Sequence, residues 1–207
     1  MNIRDARADD GKEASQLILH TLGNSGDVLF GNGSVEKARI LFERMFSSRG
    51  NRFSYQYAFC FEMEEMMAGL LVAFPGDIMI RLLLNTGFQL LWYMGFLNFL
   101  GFLMIAFPLR NEENIHRDEF FISHLAVFPD FQRQGIGWDL LKFAQFRARD
   151  LNYQKLALNV DIDNIPAIAL YKKFGFDIVS QTIYPESTQK KINSRGSLKM
   201  VKDISEE

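Results

Sequence analysis

The sequence predicts an α/β protein, a mixed sheet flanked by helices, with an apolar helical insert at about 77–110. Three observations carry this. Runs of strand character and runs of helical spacing follow one another along most of the chain. One strand-like run, FFISHLAV, leads through PDFQRQGIG straight into an amphipathic segment. Between Leu82 and Leu109 no Asp, Glu, Lys or Arg occurs, although the rest of the chain mixes charge freely. A length of 207 residues suits one domain, 1–207, that carries an elaboration.

Taken in order, residues 2–8 read as a short strand. ADDGKEASQLILHTLG has helical spacing, with Asp9 or Asp10 as its cap. GNGS, 31–34, is a loop, and Ser34 opens a second helix with Ala38, Leu41, Phe42 and Met45 on its apolar face. Lys37 stands three residues after Ser34, where a capping box would have an acid. RFSYQYAFCFEME and MMAGLLVAFPG read as an antiparallel pair joined near Glu64–Glu65. The charge-free run is long enough to span a bilayer. Asn85, Thr86, Gln89 and Asn98 interrupt it, as do glycines at 87, 95 and 101, so the expectation is one or two packed, mostly buried helices. A membrane-touching segment is the competing reading. NEENIHRDE is a polar linker. A strand at 119–127, a loop at 128–134, a helix at about 136–150 and a strand at about 154–160 follow. DIDN then turns into the helix IPAIALYKKFG, and strands at about 175–184 and 196–202 complete the chain.

Composition narrows the function classes. Hydrophobic residues make up 48% and charged residues 23%, enough for a full core and unlike a disordered chain. A net charge of −2 gives no general attraction to nucleic acid. The one cysteine, Cys60, excludes an internal disulfide and a cysteine-based zinc cluster, and no metal is expected. It lies in the apolar run YAFCFEM, where a buried structural thiol is the expectation over a nucleophile. The start MNIRDARADDGKE has no apolar stretch behind a basic end, so no secretory signal is read and a cytoplasmic location is expected.

Gly135 and Gly137 pose the chemical question, because they weaken a helix where one begins. Without a Cβ, a phosphate can approach the backbone there. The N–H groups from Arg133 to Trp138 could then converge on a pyrophosphate at the helix N-terminus, where the dipole favours negative charge. Arg133 would add a flexible cation. An ordinary strand–helix turn that needs two small residues has the same pattern. No third glycine completes a dinucleotide fingerprint, and no Gly-Lys-Ser/Thr completes a Walker loop.

LAVFPDFQRQGIGWDLL followed by NVDIDNIPAIALYKKFGF closely resembles the GNAT family of acyl-coenzyme A N-acyltransferases. Gln132, Gly135 and Gly137 match its Arg/Gln-x-x-Gly-x-Gly/Ala signature. Asn164, Ala169, Leu170, Tyr171, Lys173, Gly175 and Phe176 match its second block. The resemblance covers about 119–180. It implies acetyl-CoA as cosubstrate and no metal. It also implies that the strand before the glycine loop splays from its neighbour, so that the backbone of Leu125 and Val127 pairs with the pantetheine arm. Gln132, Arg133, Gln134, Gly135, Ile136, Gly137 and Trp138 would take the pyrophosphate, and Asn164 would hydrogen-bond the cofactor arm. Tyr171 would lie near the thioester sulfur as general acid. A phenol with a reference pKa of about 10 is protonated at neutral pH and can donate to a departing thiolate. A core aromatic on an amphipathic helix is the other reading of Tyr171.

A base is harder to find. Related ribosomal-protein N-terminal acetyltransferases place a Glu on the strand after the glycine helix, and the corresponding residue here is Asn159, which can orient a water but not take a proton. Glu119 lies early in the preceding strand, and His124 titrates in a useful range. Alternation puts Ser123 and Leu125 on one face and His124 with Ala126 on the other, unless a bulge redirects them. The resemblance implies acetyl transfer to a primary amine of a small molecule or peptide by direct attack. A non-catalytic CoA-binding module and a membrane-associated acyltransferase are the alternatives. The insert would cover the acceptor side, as a lid for an apolar acceptor, a homodimer seam or a membrane contact through 82–109.

Overall fold

The computed structural model describes residues 2–107 and 115–205. The end of the expected insert and the start of the polar linker, 108–114, lie outside the described residues. One seven-stranded sheet has the order β1-β2-β3-β4-β5-β7-β6. Its strands are β1 Ile3–Asp5, β2 Ala58–Met63, β3 Met66–Pro75, β4 Glu119–Val127, β5 Lys155–Asp161, β6 Asp177–Ile183 and β7 Gly196–Asp203. β4 and β5 run parallel and every other pair is antiparallel. Glu64 and Glu65 turn β2 into β3 with φ of 50° and 64°, the left-handed pair that a two-residue hairpin demands.

Helices cover both faces. On one side lie α1 (Gly11–Leu22) and α3 (Val35–Ser47), whose Leu17, Ile18, Phe42 and Met45 pack on Leu70 and Val72 of β3. On the other lie α6 (Ile136–Asp150) and α7 (Ile165–Phe174), packed on Leu71, Leu156 and Leu158 through residues such as Leu140 and Leu141. Ser34 accepts from the Lys37 N–H at 3.4 Å and caps α3. Asp10 precedes α1 but does not cap it with its side chain. Its carboxylate accepts instead from the Arg4 guanidinium at 2.7 and 2.8 Å and from the Arg7 N–H at 2.6 Å. Two further helices, α2 (Asn24–Phe30) and α8 (Glu186–Ile192), have no counterpart among the elements read from the sequence. Each has seven residues, too few for a helical period to stand out.

The insert is α4 (Met79–Met94) and α5 (Phe96–Ala106), broken at Gly95, whose φ is 77°. Met79, Leu82, Thr86 and Leu90 form a buried seam. The amides that interrupt the apolar run fasten this helix to the segment after α3. Asn85 Nδ2 donates to Gly50 O at 3.1 Å, Gln89 Nε2 to Arg49 O at 2.9 Å, and buried Asn51 Nδ2 to Gln89 Oε1 at 2.8 Å. The expectation of a mostly buried insert is nevertheless corrected. The far side of α4 is exposed, and α5 buries no residue completely. Its half-buried Phe102 packs at a tilt against Phe30 of α2, while Phe96, Leu97 and Met104 stand exposed.

The sheet opens between β4 and β5. The two pair only from Glu119 with Lys155 to Ile122 with Leu158. Beyond that point His124–Val127 remains paired with β3, and Asn159–Asp161 with β7, but not with each other. A bulge adds Ser123 to β4, since Val72 pairs with His124 and Ala73 with Ile122. It turns Ile122 toward α6 and His124 toward α1, although the two are an even number of residues apart.

Candidate active site

Sheet geometry assigns the backbone groups that line the gap. Phe128 N donates to Ala68 O at 2.9 Å. Alternation along an antiparallel ladder then directs the amide groups of Ala126 to β3 and those of Leu125 and Val127 to the gap. The Gln132 side chain reaches back and donates to Val127 O at 3.1 Å. The glycine turn lies at the mouth of the same gap. Arg133 and Gly135 have φ of 62° and 85°, so the turn is left-handed at both. The first α6 hydrogen bond that closes on it is Asp139 N to Gly135 O at 3.0 Å. Among the described residues, the N–H groups of Arg133 through Trp138 donate to no acceptor. Such a run of unpaired donors at a helix N-terminus suits an anion.

The two glycines have different reasons. A Cβ on Gly135 would meet nothing within 4 Å, so its backbone conformation, not space, calls for glycine. A Cβ on Gly137 would stand 3.3 Å from Leu170 Cδ2 and 3.8 Å from Leu125 Cδ2. Gly137 thus also lets α6 approach α7 and β4. Ile136 is buried in the core, while Trp138 packs edge-on to Phe174 with centroids 4.9 Å apart.

Asn164 is the N-cap of α7, its Oδ1 accepting from Ala167 N at 3.3 Å. Tyr171 lies two turns further on, 8% exposed, with its ring against Phe176. Burial pushes its phenol up to about 12, so it holds its proton through the neutral range. Among the described residues no hydrogen bond occupies its hydroxyl. Asn159 lies on β5 one residue past the last pair with β4.

The two base candidates sit in different settings. Glu119 is 3% exposed at the closed end of the β4–β5 pair, where Lys199 Nζ lies 2.8 and 3.0 Å from its oxygens and the His116 N–H donates to it at 2.9 Å. These bonds make it the anion of a buried ion pair, away from the gap. His124 is 6% exposed, beside the gap on the α1 face. Thr21 Oγ1 donates to Ile18 O and lies 2.7 Å from His124 Nδ1. The Nε2 of His124 is buried and without a partner among the described residues. Burial, with the charge of Arg52, lowers this imidazole to about 3, and it is neutral at pH 7. Cys60 is fully buried, and its thiol is pushed up to about 12 by burial and by Asp10. Among the described residues no cluster of His, Cys, Asp or Glu could hold a metal.

A sheet parted between parallel strands, with a helix of unpaired amides at the opening, is the architecture of an acyl-CoA acyltransferase. The chain belongs to the acetyltransferase (GNAT) family, whose sequence model matches residues 60–176. A probable N-acetyltransferase, san, of Drosophila melanogaster is 39% identical over 72 residues, 34% of this chain and 38% of that protein. The ribosomal protein bS18-alanine N-acetyltransferase of Escherichia coli K12 is 37% identical over 70 residues, 33% of this chain and 47% of that one. The chain thus spans less than half the length of these relatives. Among solved structures, an N-acetyltransferase from Staphylococcus aureus Mu50 superposes with a TM-score of 0.69 at 20% identity, covering 96% of this chain and 98% of that one. A Drosophila melanogaster polyamine N-acetyltransferase superposes at 0.63 and 14% identity, covering 97% and 98%. These two likenesses show the fold.

Proposed function

We propose that this chain transfers an acetyl group from acetyl-CoA to a primary amine by direct attack, with no covalent enzyme intermediate. The observation that carries this is the parted β4–β5 pair opening onto the unpaired amides of 133–138. The residues fit the cofactor. The amides of the turn, with Arg133, would hold its pyrophosphate, and the gap-facing backbone of Leu125 and Val127 would hold its amide-bearing arm. When bound, acetyl-CoA supplies an acetyl group activated as a thioester. Tyr171 keeps a proton available for the sulfur as it departs, because burial holds the phenol protonated.

The amine must arrive without its proton, and the base is the less determined part of the site. His124 offers a buried, unpartnered Nε2 next to the gap, yet its low affinity for a proton suits orienting a water or the amine better than keeping a proton. Asn159, one residue past the last β4–β5 pair, suits the same orienting task. Amine acceptors of relatives include a ribosomal-protein alanine, and we extend to this chain only the amine. The test is release of free CoA thiol from acetyl-CoA against a panel of polyamines, arylalkylamines and peptides with free N-termini. Amine-dependent release supports the reading. Tight CoA binding with no turnover on any amine would leave a binding module in its place.

A further inference from the structure

The α4–α5 hairpin carries an apolar surface that the fold leaves uncovered. Ile80, Leu84, Phe88 and Trp92 recur every four residues on the side of α4 opposite its docking seam, and all are exposed. Phe96 and Leu97 continue the surface past Gly95. Trp92 is 77% exposed and Leu97 80%. Of residues 78–107 only Arg81 is charged. Isolated apolar side chains on a surface need no explanation, but a contiguous patch of this kind marks a contact.

Two features identify what it meets. The first is that α5, apart from Asn98, is apolar around its circumference and yet buries no residue, so its surface is not made for water. Even its exposed amide is satisfied within the hairpin, since Asn98 Nδ2 donates to Met94 O at 2.9 Å. The second is the charge around the patch. The segment 44–57, on which α4 docks, carries Arg44, Arg49 and Arg52 and no acid. Among the described residues Arg44, Arg49 and Arg81 form no ion pair. Two copies of this chain meeting through the patch would bring these arginines together. An anionic lipid surface complements both features, with acyl chains for the apolar side chains and headgroups for the guanidinium groups. No described helix is long and apolar enough to cross a membrane.

We infer that the α4–α5 hairpin lies in the surface of a membrane bearing anionic headgroups, with Phe88, Trp92 and Leu97 among the acyl chains and Arg44, Arg49 and Arg81 at headgroup level. This inference does not rest on the acetyl-transfer reading. It is tested by sedimenting the full chain with vesicles of phosphatidylcholine alone and of phosphatidylcholine mixed with phosphatidylglycerol. Trp92 emission is read as the difference between the native chain and Trp92→Phe. The expected result is sedimentation with the anionic vesicles and a blue shift of Trp92. Phe88→Ser with Leu97→Ser should abolish it, and Arg44→Glu, Arg49→Glu and Arg81→Glu together should weaken it about tenfold or more. Far-UV circular dichroism should be unchanged, because these side chains lie outside the buried core. Failure to bind either vesicle, or binding untouched by the arginine reversals, would overturn the inference. A dimer seen by sedimentation equilibrium, dispersed by Leu84→Asp and indifferent to vesicles, would assign the patch to a second copy instead.

Discussion

Replacing His124 with Asn tests the electrostatics of a buried titratable group beside the gap. In the folded chain its imidazole is lowered to about 3, by burial first and then by Arg52, against an ordinary value of 6.5. Between those values the unfolded chain binds a proton that the folded chain refuses, so stability rises with pH and is lost as pH falls from 6.5 toward 3. The slope for one proton is about 1.4 kcal/mol per pH unit, or about 2 kcal/mol by pH 5. The amide that replaces the imidazole would keep a hydrogen-bonding group for Thr21 in the place of Nδ1 and would not titrate. Urea unfolding of both chains at pH 7 and pH 5 isolates the effect from the carboxylates, which the two share. The native chain should lose about 2 kcal/mol more than His124→Asn over that interval. Equal losses would show that the imidazole accepts a proton in the folded state, and a neutral, desolvated His124 would be refuted.

Two other perturbations bear on separate parts of the chain. Glu119→Ala leaves the Lys199 ammonium buried without its carboxylate and should cost about 3–5 kcal/mol in denaturant unfolding. Replacing both residues by Met should recover most of that loss, and a double variant as unstable as the single one would contradict the ion-pair reading. Tyr171→Phe keeps the ring packing and removes the proton donor, so kcat should fall about a hundredfold or more with CoA affinity unchanged. Unchanged turnover under conditions where chemistry limits the rate would remove Tyr171 from the mechanism.

The strand, glycine turn and helix from 119 to 150 are legible because each has its own signal, an apolar run, two glycines and a helical period, and the second block marks α7 in the same way. What escapes the sequence is whatever depends on three-dimensional partners. The bulge at Ser123 leaves no mark in FFISHLAV, yet it decides that His124 faces α1. Gly135 and Gly137 look alike in sequence, and only packing separates a left-handed backbone from a close approach to Leu170. Glu119 reads as a candidate base until Lys199, 80 residues away, is seen against it. The apolar run suggests a buried insert because hydrophobicity reports a tendency to leave water, not whether the fold satisfies it. Its amides do carry information, since Asn85 and Gln89 mark the one side of α4 that docks.

The proposed acetyl transfer would depend above all on the turn at 133–138 receiving the anionic part of CoA beside the parted strands. Backbone amide resonances followed during titration with CoA probe that contact residue by residue. Saturable shifts should be largest at Arg133 through Trp138, with further shifts at Leu125 and Val127 and little change across α1 and α3. Saturable binding whose largest shifts lie elsewhere, with 133–138 unmoved, would contradict it.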